Sequence, residues 1–450
     1  MAQDRWRSRA GFIFSAMGSA IGLGSIWKFP YEVGANGGGG FLAFYLLGLA
    51  LIVFPLLLLE FAIGRQGGSH AIASLAKVAA ESRASGRWAL VGLAGVVGSI
   101  LILSYYSVIG GWALAYVVDT AAHGLPGSAE LTQARLDALL GSPLRIAAYH
   151  LAFMGLTAVV VARGIANGIE RASLYLMPVL MVLVILLAAY SSLNGDLGAA
   201  ARFLFGLDPG RLTPRVALEA IGLGFFSIGV GLAVMITYAA YADPAFDLRD
   251  IAIITLVSDT AISVLAGLAV FPVVFAEGLD PASGPGLMYV TLPLAFARIP
   301  FGAAAAAAFF LLLSVAAVAS AISLLEMPVA LAHRELGWSR PRAAVVAAAL
   351  CWALGLPSVL SFNLWAEWRP LAWLPGLGSL TVFDALDHLA SNVLLPLGGL
   401  ALALFGGWVV PPRLLMGQLG LSRSGGRTLV ILLRYVVPAG IAAASVLPIF

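Results

Sequence analysis

Gly18-Ser19-Ala20-Ile21-Gly22-Leu23-Gly24-Ser25-Ile26-Trp27-Lys28-Phe29-Pro30 lies inside the first long apolar stretch of the chain. Its surroundings read as a membrane helix, yet three of its first seven residues are glycine. Glycine inside a helix costs about 1 kcal/mol relative to alanine, so this cluster predicts a break at Gly22-Leu23-Gly24. The same irregularity recurs at Phe225-Phe226-Ser227-Ile228-Gly229-Val230-Gly231. Gly18 and Gly22 alone would also fit a small-residue packing face. Recurrence at the head of two successive groups of five apolar stretches favours two broken helices. Interrupted helices at matching places in two halves are the best pointer in sequence to a small-solute site.

The chain has 450 residues, 61% of them hydrophobic and only 10% charged, with a mean hydropathy of +0.99. A water-soluble protein carries about 25% charged residues, so this composition belongs in a lipid bilayer. About twenty apolar residues cross one, and about eleven such stretches can be read: 11–35, 40–64, 88–120, 143–162, 172–193, 215–241, 248–276, 302–332, 342–362, 378–410 and 427–450. The polar connections 121–142, 194–214, 277–300 and 363–377 read as loops. With a cytoplasmic N-terminus, sixteen Lys and Arg residues fall inside and seven outside, the favoured arrangement. The expected location is the plasma (inner) membrane, multi-pass, N-terminus cytoplasmic. Arg-rich residues 1–9 precede the first apolar stretch, but no cleavage pattern follows, so that stretch is kept as a helix.

A net charge of +3 gives no reason to expect nucleic acid. The single cysteine, Cys351, excludes a disulfide framework, and the five histidines show no ligand spacing. No paired acids or histidine-rich face suggests an enzyme. Two discontinuous helices suit occlusion of a solute better than the continuous path of a channel.

The block from Gly18 to Pro30, with Asn36-Gly37-Gly38-Gly39-Gly40-Phe41 and Gly64-Arg65-Gln66-Gly67-Gly68, resembles the neurotransmitter:sodium symporter family. Further matches are Tyr105-Tyr106, Gly168-Ile169-Glu170, Phe225-Phe226-Ser227 with Thr237-Tyr238, Ala266 to Pro272, and Ser323-Leu324-Leu325-Glu326. The resemblance implies an all-α integral membrane protein of LeuT-like fold with two five-helix inverted repeats, helices 1 and 6 discontinuous. It implies one transporter domain over 1–450, with repeats at about 8–195 and 212–410 and an extra helix at about 427–450. The implied activity is sodium-driven uptake of an amino acid by alternating access, as a monomer or homodimer.

The resemblance also assigns residues. A broken helix offers free N–H groups to a carboxylate and free carbonyls to an ammonium. Here these are the N–H groups around Gly22, Leu23 and Gly24, and the carbonyls of Ala20, Phe226 and Ser227, with the Tyr106 hydroxyl on the carboxylate. The side-chain pocket is expected from Ile102, Phe226, Gly229, Leu232, Ser320, Ala321 and Leu324. Gly229 and Ala321 are small, which favours a hydrophobic, even aromatic, L-amino acid. One or two sodium ions are implied: the first at Ala20, Ser25, Ser227 and Asp259, the second at Gly18, Ile21, Ala316 and Ser320. Ser25 and Asp259 stand where asparagines are typical, and Ala319 stands where a second-site ligand is typical.

A carboxylate in mid-membrane costs roughly 2.5–3.5 kcal/mol by insertion scales, so Asp259 should meet a counter-charge. Tyr45, Ser227 and Ser263 match the family's chloride ligands, but the glutamine position is Leu223. No chloride is therefore expected; Asp259 supplies the negative charge, ionised with sodium bound and protonated on the empty return. The alternative is a proton-coupled amino acid carrier of the same fold with degraded sodium sites. Lys28 and Asp387 match the outer gate, and Glu60 is expected to bond the N–H groups of the first break. At the inner gate Trp6 and Arg9 match, Gln3 replaces an arginine, and Arg334, beside Glu335, replaces an acid.

Overall fold

The computed structural model describes residues 5–282 and 286–446; Gln3 and the last four residues of the expected final helix lie outside them. Every regular element among the described residues is helical. In chain order they are α1 (Arg9–Ala20), α2 (Gly24–Ala35), α3 (Gly39–Gly67), α4 (Ala71–Glu81), α5 (Gly86–His123), α6 (Ala129–Leu140), α7 (Pro143–Ala162), α8 (Ile165–Asn194) and α9 (Leu197–Phe205). The remainder are α10 (Pro214–Ile228), α11 (Val234–Ala239), α12 (Leu248–Ala276), α13 (Leu287–Ala297), α14 (Gly302–Glu335), α15 (Arg340–Leu360), α16 (Val382–Val409), α17 (Pro412–Leu419) and α18 (Arg423–Ala444).

Nine of these are long and apolar enough to cross a membrane, and ten if α1 and α2 count as one bent span. The sequence reading has eleven. The difference lies at 215–241, which folds as α10 and a six-residue α11, neither of them long enough alone. Three connections read as loops also contain helices, α6, α9 and α13. Local capping explains two of them: Ser128 accepts the Leu131 N–H at 3.3 Å, and Asp196 accepts the Ala199 N–H at 2.8 Å. Each satisfies an otherwise orphaned N–H of the first turn.

The bundle is built around α14. Its most apolar window is 78% buried in protein, against 22% for α18, so α14 is the axis and α18 the lipid-facing rim. α14 packs on α1, α5, α7, α8 and α15. Small residues allow these approaches. A Cβ at Gly18 would sit 3.4 Å from Ala319, and one at Gly24 would sit 3.0 Å from the Ser227 Cα. Close backbone approach is how helices gain packing energy in a solvent as apolar as their own side chains.

Candidate substrate and ion site

α1 ends because Ile21 turns extended (φ −82°, ψ 97°), and α2 starts at Gly24 with its axis 52° away. α10 ends at Gly229 in the left-handed region (φ 71°), followed by Gly231 (φ 98°) and Ala233 (φ 59°). Glycine enters that region freely; Ala233 does so at a cost of about 1–2 kcal/mol. The two breaks face α5 and α14.

A cavity of about 50 Å³ lies there. A water molecule needs about 10–15 Å³ on such a measure, so the cavity has room for a few small groups beside its largely apolar wall. Its lining includes Ala20, Gly22, Leu23 and Gly24 from the first break, and Phe226, Ser227, Gly229 and Leu232 from the second. Ile102 and Tyr106 enter from α5, and Ser320 and Leu324 from α14. Ala321 does not line it: one position past Ser320, it is turned about 100° around the helix and is fully buried elsewhere. Residues at the wall that sequence reasoning did not single out are Ser19, Ile228, Val234, Ser323 and Leu395.

The Leu23 N–H donates to the Tyr106 hydroxyl at 3.2 Å. A donor from the break and a hydroxyl thus converge on one point, and an entering carboxylate could accept from both. A Cβ at Gly22 would crowd that point, 2.9 Å from the Tyr106 oxygen and closer still to the Ser320 hydroxyl.

Beside the cavity sits Asp259, fully buried in α12. One carboxylate oxygen accepts from Ser25 Oγ at 2.5 Å and Ser227 Oγ at 2.9 Å; the other accepts from the Tyr45 hydroxyl at 2.9 Å. The two serine oxygens are 3.0 Å apart. Three hydroxyls from three different elements therefore surround one acid. Such a group is tolerated in hydrocarbon only when its oxygens are satisfied. Ser263 Oγ, one turn along α12, is buried without a hydrogen-bond partner.

On the other side of α1, Ser320 Oγ donates to the Gly18 carbonyl at 3.1 Å and the Ser19 carbonyl at 3.2 Å. Ala316 is fully buried on the same helix, and Ile21 is the extended residue that closes α1. The structure therefore brings Gly18 and Ser320 together. Ala319 contributes only a methyl group there.

Two expectations are corrected. Glu60 does not serve the first break: its carboxylate accepts the N–H groups of Gly231 at 2.7 Å and Met235 at 3.1 Å, in the second. α3 runs beside α11, so the nearest unpaired donors are those of 229–235. Nor are Lys28 and Asp387 paired. The Lys28 ammonium lies 4.5 Å from the centre of the Phe226 ring. Asp387 is satisfied by the Tyr105 hydroxyl and by Ser391 Oγ, each at 3.0 Å. A flexible ammonium holds no fixed fork geometry, and an aromatic face is a competing partner for it.

At the opposite end, Trp6 donates from Nε1 to the Tyr238 carbonyl at 2.9 Å, and exposed Arg9 pairs with Asp250 at 3.3 Å. Arg334 donates to the Gly68 carbonyl and Ser69 Oγ, while Glu335 pairs with buried His70 at 2.8 Å; that histidine is not idle. Glu326 takes Arg340 and the Tyr241 hydroxyl. Glu170 accepts from Arg7 N–H at 2.7 Å, Ser8 N–H at 3.1 Å and Ser8 Oγ at 2.8 Å. The partners of Glu60 and Glu170 lie far along the chain, so no spacing could reveal them.

A helical bundle with nine or ten membrane spans that encloses a largely apolar cavity, with a few polar groups, between two helix breaks has the build of a small-solute transporter. The model of the sodium:neurotransmitter symporter family matches residues 3–134 and 141–363, and the chain belongs to that family. It is 38% identical over 446 residues to the sodium-dependent transporter YhdH of Bacillus subtilis (strain 168), covering 97% of this chain and 96% of that one. It is 33% identical over 430 residues to the sodium-dependent transporter MJ1319 of Methanocaldococcus jannaschii, covering 90% and 83%. Among solved structures, MhsT in complex with L-phenylalanine superposes with a TM-score of 0.90 at 40% identity, covering 98% of this chain and 99% of MhsT. The protein is thus a sodium-dependent, multi-pass membrane symporter of LeuT-like fold.

Proposed function

We propose that this symporter imports a hydrophobic L-amino acid, aromatic side chains included, with one or two sodium ions and without chloride. The observation that carries this reading is the buried Asp259 ringed by Ser25, Ser227 and Tyr45 at the edge of the cavity. A fixed carboxylate there supplies the charge that chloride would otherwise bring. Sodium, a hard cation, finds oxygen ligands in Asp259, Ser25, Ser227 and the Ala20 carbonyl. The amino acid's carboxylate takes the Leu23 N–H and Tyr106 hydroxyl, and its ammonium faces the carbonyls of Ala20, Phe226 and Ser227. Its side chain lies among Ile102, Phe226, Gly229, Leu232 and Leu324. The bound L-phenylalanine of MhsT supports this size class.

In this reading residues 1–450 form a single transport domain of two inverted repeats, about 8–195 and 212–410, with the last helix added. It sits in the plasma membrane with its N-terminus cytoplasmic. The test is uptake of labelled phenylalanine, leucine and glycine into proteoliposomes under a sodium gradient. Phenylalanine and leucine should accumulate, and replacing chloride with gluconate should leave the rate unchanged. A collapse without chloride would overturn the role of Asp259.

A second reading keeps the sodium dependence and adds protons as a driving ion, the second sodium site being degraded. It is favoured by one observation: Ser320 Oγ turns back onto the carbonyls of Gly18 and Ser19, with Ala319 offering no oxygen. A pH gradient imposed at fixed sodium separates the two, since only a proton-coupled carrier accelerates uptake with it.

A further inference from the structure

After Asp387 the sequence contains no Asp or Glu, yet Arg413, Arg423, Arg427 and Arg434 follow. Among the described residues none of the four has an ion-pair partner. Arg423, Arg427 and Arg434 are spaced four and seven apart on α18, which places them on one face of that helix.

Arg434 marks where this face meets the bilayer. Its Nε donates to the Gly407 carbonyl at 2.8 Å, and its guanidinium covers the Trp408 ring at 4.7 Å from the centroid. The helices meet closely there: a Cβ at Gly407 would stand 2.9 Å from the Arg434 Cα. Trp408 is the penultimate residue of α16, so Arg434 lies level with the end of a membrane span, where headgroups begin. Trp408 packs edge-on against Tyr435 at 5.8 Å, and both rings are exposed, at 57% and 56%. Indole and phenol at that depth belong to the interfacial aromatic belt. Toward the membrane interior, Leu404 and Leu397 are exposed on the same side of α16, four and eleven residues before Trp408. Away from it, the arginines continue along α18.

We propose that this surface between α16 and α18 binds an anionic phospholipid. The phosphate bridges the two free NH₂ groups of Arg434 and the guanidinium of Arg427. The glycerol backbone lies at Trp408 and Tyr435, and an acyl chain runs along Leu404 and Leu397. Basic clusters at a helix end attract anionic headgroups by this chemistry. A free phosphate would leave the aromatic and leucine face without purpose. A second copy related by two-fold symmetry would set arginines against arginines with no acid on either side. In the orientation proposed above the lipid belongs to the cytoplasmic leaflet; the binding itself does not depend on that reading.

The test uses the full chain purified in neutral detergent, where sidedness plays no part, with melting temperature as the readout. Phosphatidylglycerol should raise it by several degrees more than phosphatidylcholine does. Arg427→Gln should remove at least half of that difference, and Arg434→Lys, which keeps the charge, should retain most of it. Equal shifts for the two lipids would overturn the site, as would a full shift in Arg427→Gln. The same shift from millimolar inorganic phosphate would make it an anion site and not a lipid site. Efficient disulfide dimers of Trp408→Cys in native membranes would show a second copy covering the face and would equally overturn it.

Discussion

Tyr106 and Asp259 divide the work at the site between recognition and charge. The Tyr106 hydroxyl already meets the Leu23 N–H at 3.2 Å, so Tyr106→Phe removes one donor from a charged ligand without changing the shape of α5. Hydrogen bonds to charged groups contribute about 1.5–3 kcal/mol. The expected outcome is a Kd for amino acid weakened by about 10- to 100-fold, read by scintillation proximity, with melting temperature unchanged. Unchanged affinity would remove the hydroxyl from the site. Asp259→Asn keeps the size of the side chain and loses its charge. Sodium affinity should fall at least ten-fold, and added chloride should then stimulate uptake, which it does not do in the parent; a variant as tightly coupled to sodium as the parent would show the ion held elsewhere. Tyr106 and Asp259 were legible in sequence because each sits in a motif or departs from one. Glu60 was legible as an acid that bonds N–H groups freed by a helix break, but not as serving the second break, because its partners Gly231 and Met235 lie far along the chain.

The two broken helices were the most legible elements, since glycines announce a lost helix before any contact is known. Their anchoring was not. Ser8 caps α1 through the Gly11 N–H at 2.9 Å, and Glu170 at the start of α8 then grips the same turn through three donors. Gly11 is glycine for that reason: a Cβ there would run into the Glu170 carboxylate. The half-helix α1 is therefore pinned at its N-terminal end, opposite the break at Ile21. Glu170→Gln turns an acceptor-only group into one that presents an NH₂ to backbone donors. The reactivity of a cysteine at Ser15, buried on α1, should rise several-fold in a Cys351→Ala background, reported by a thiol reagent on inside-out vesicles. An unchanged rate would mean that other contacts hold α1. The short helices α6, α9 and α13 escaped the sequence reading because each is shorter than a span and lies in a connection between spans.

For the whole molecule, the fold followed from composition and repeated irregularity, whereas the gates depended on geometry across the bundle. Lys28 turns to Phe226 instead of Asp387, and motif matching cannot foresee that choice between partners. Orientation rests on the summed placement of basic residues and is testable directly. Gly86 and Gly127 are exposed, and a Cβ at either meets nothing within 4 Å. In a Cys351→Ala background, an impermeant maleimide on intact cells should label Gly127→Cys and spare Gly86→Cys. The reverse pattern would invert the topology.

Cys351, buried in α15, is the only thiol in the chain. One conservative replacement therefore yields a background into which reporter pairs can be written at will. The distance between α1 and α8, or across the second break, can then be followed by spin labels or dyes as sodium and amino acid are added. The one native thiol is buried, so turnover of the parent should be unaffected by an impermeant thiol reagent.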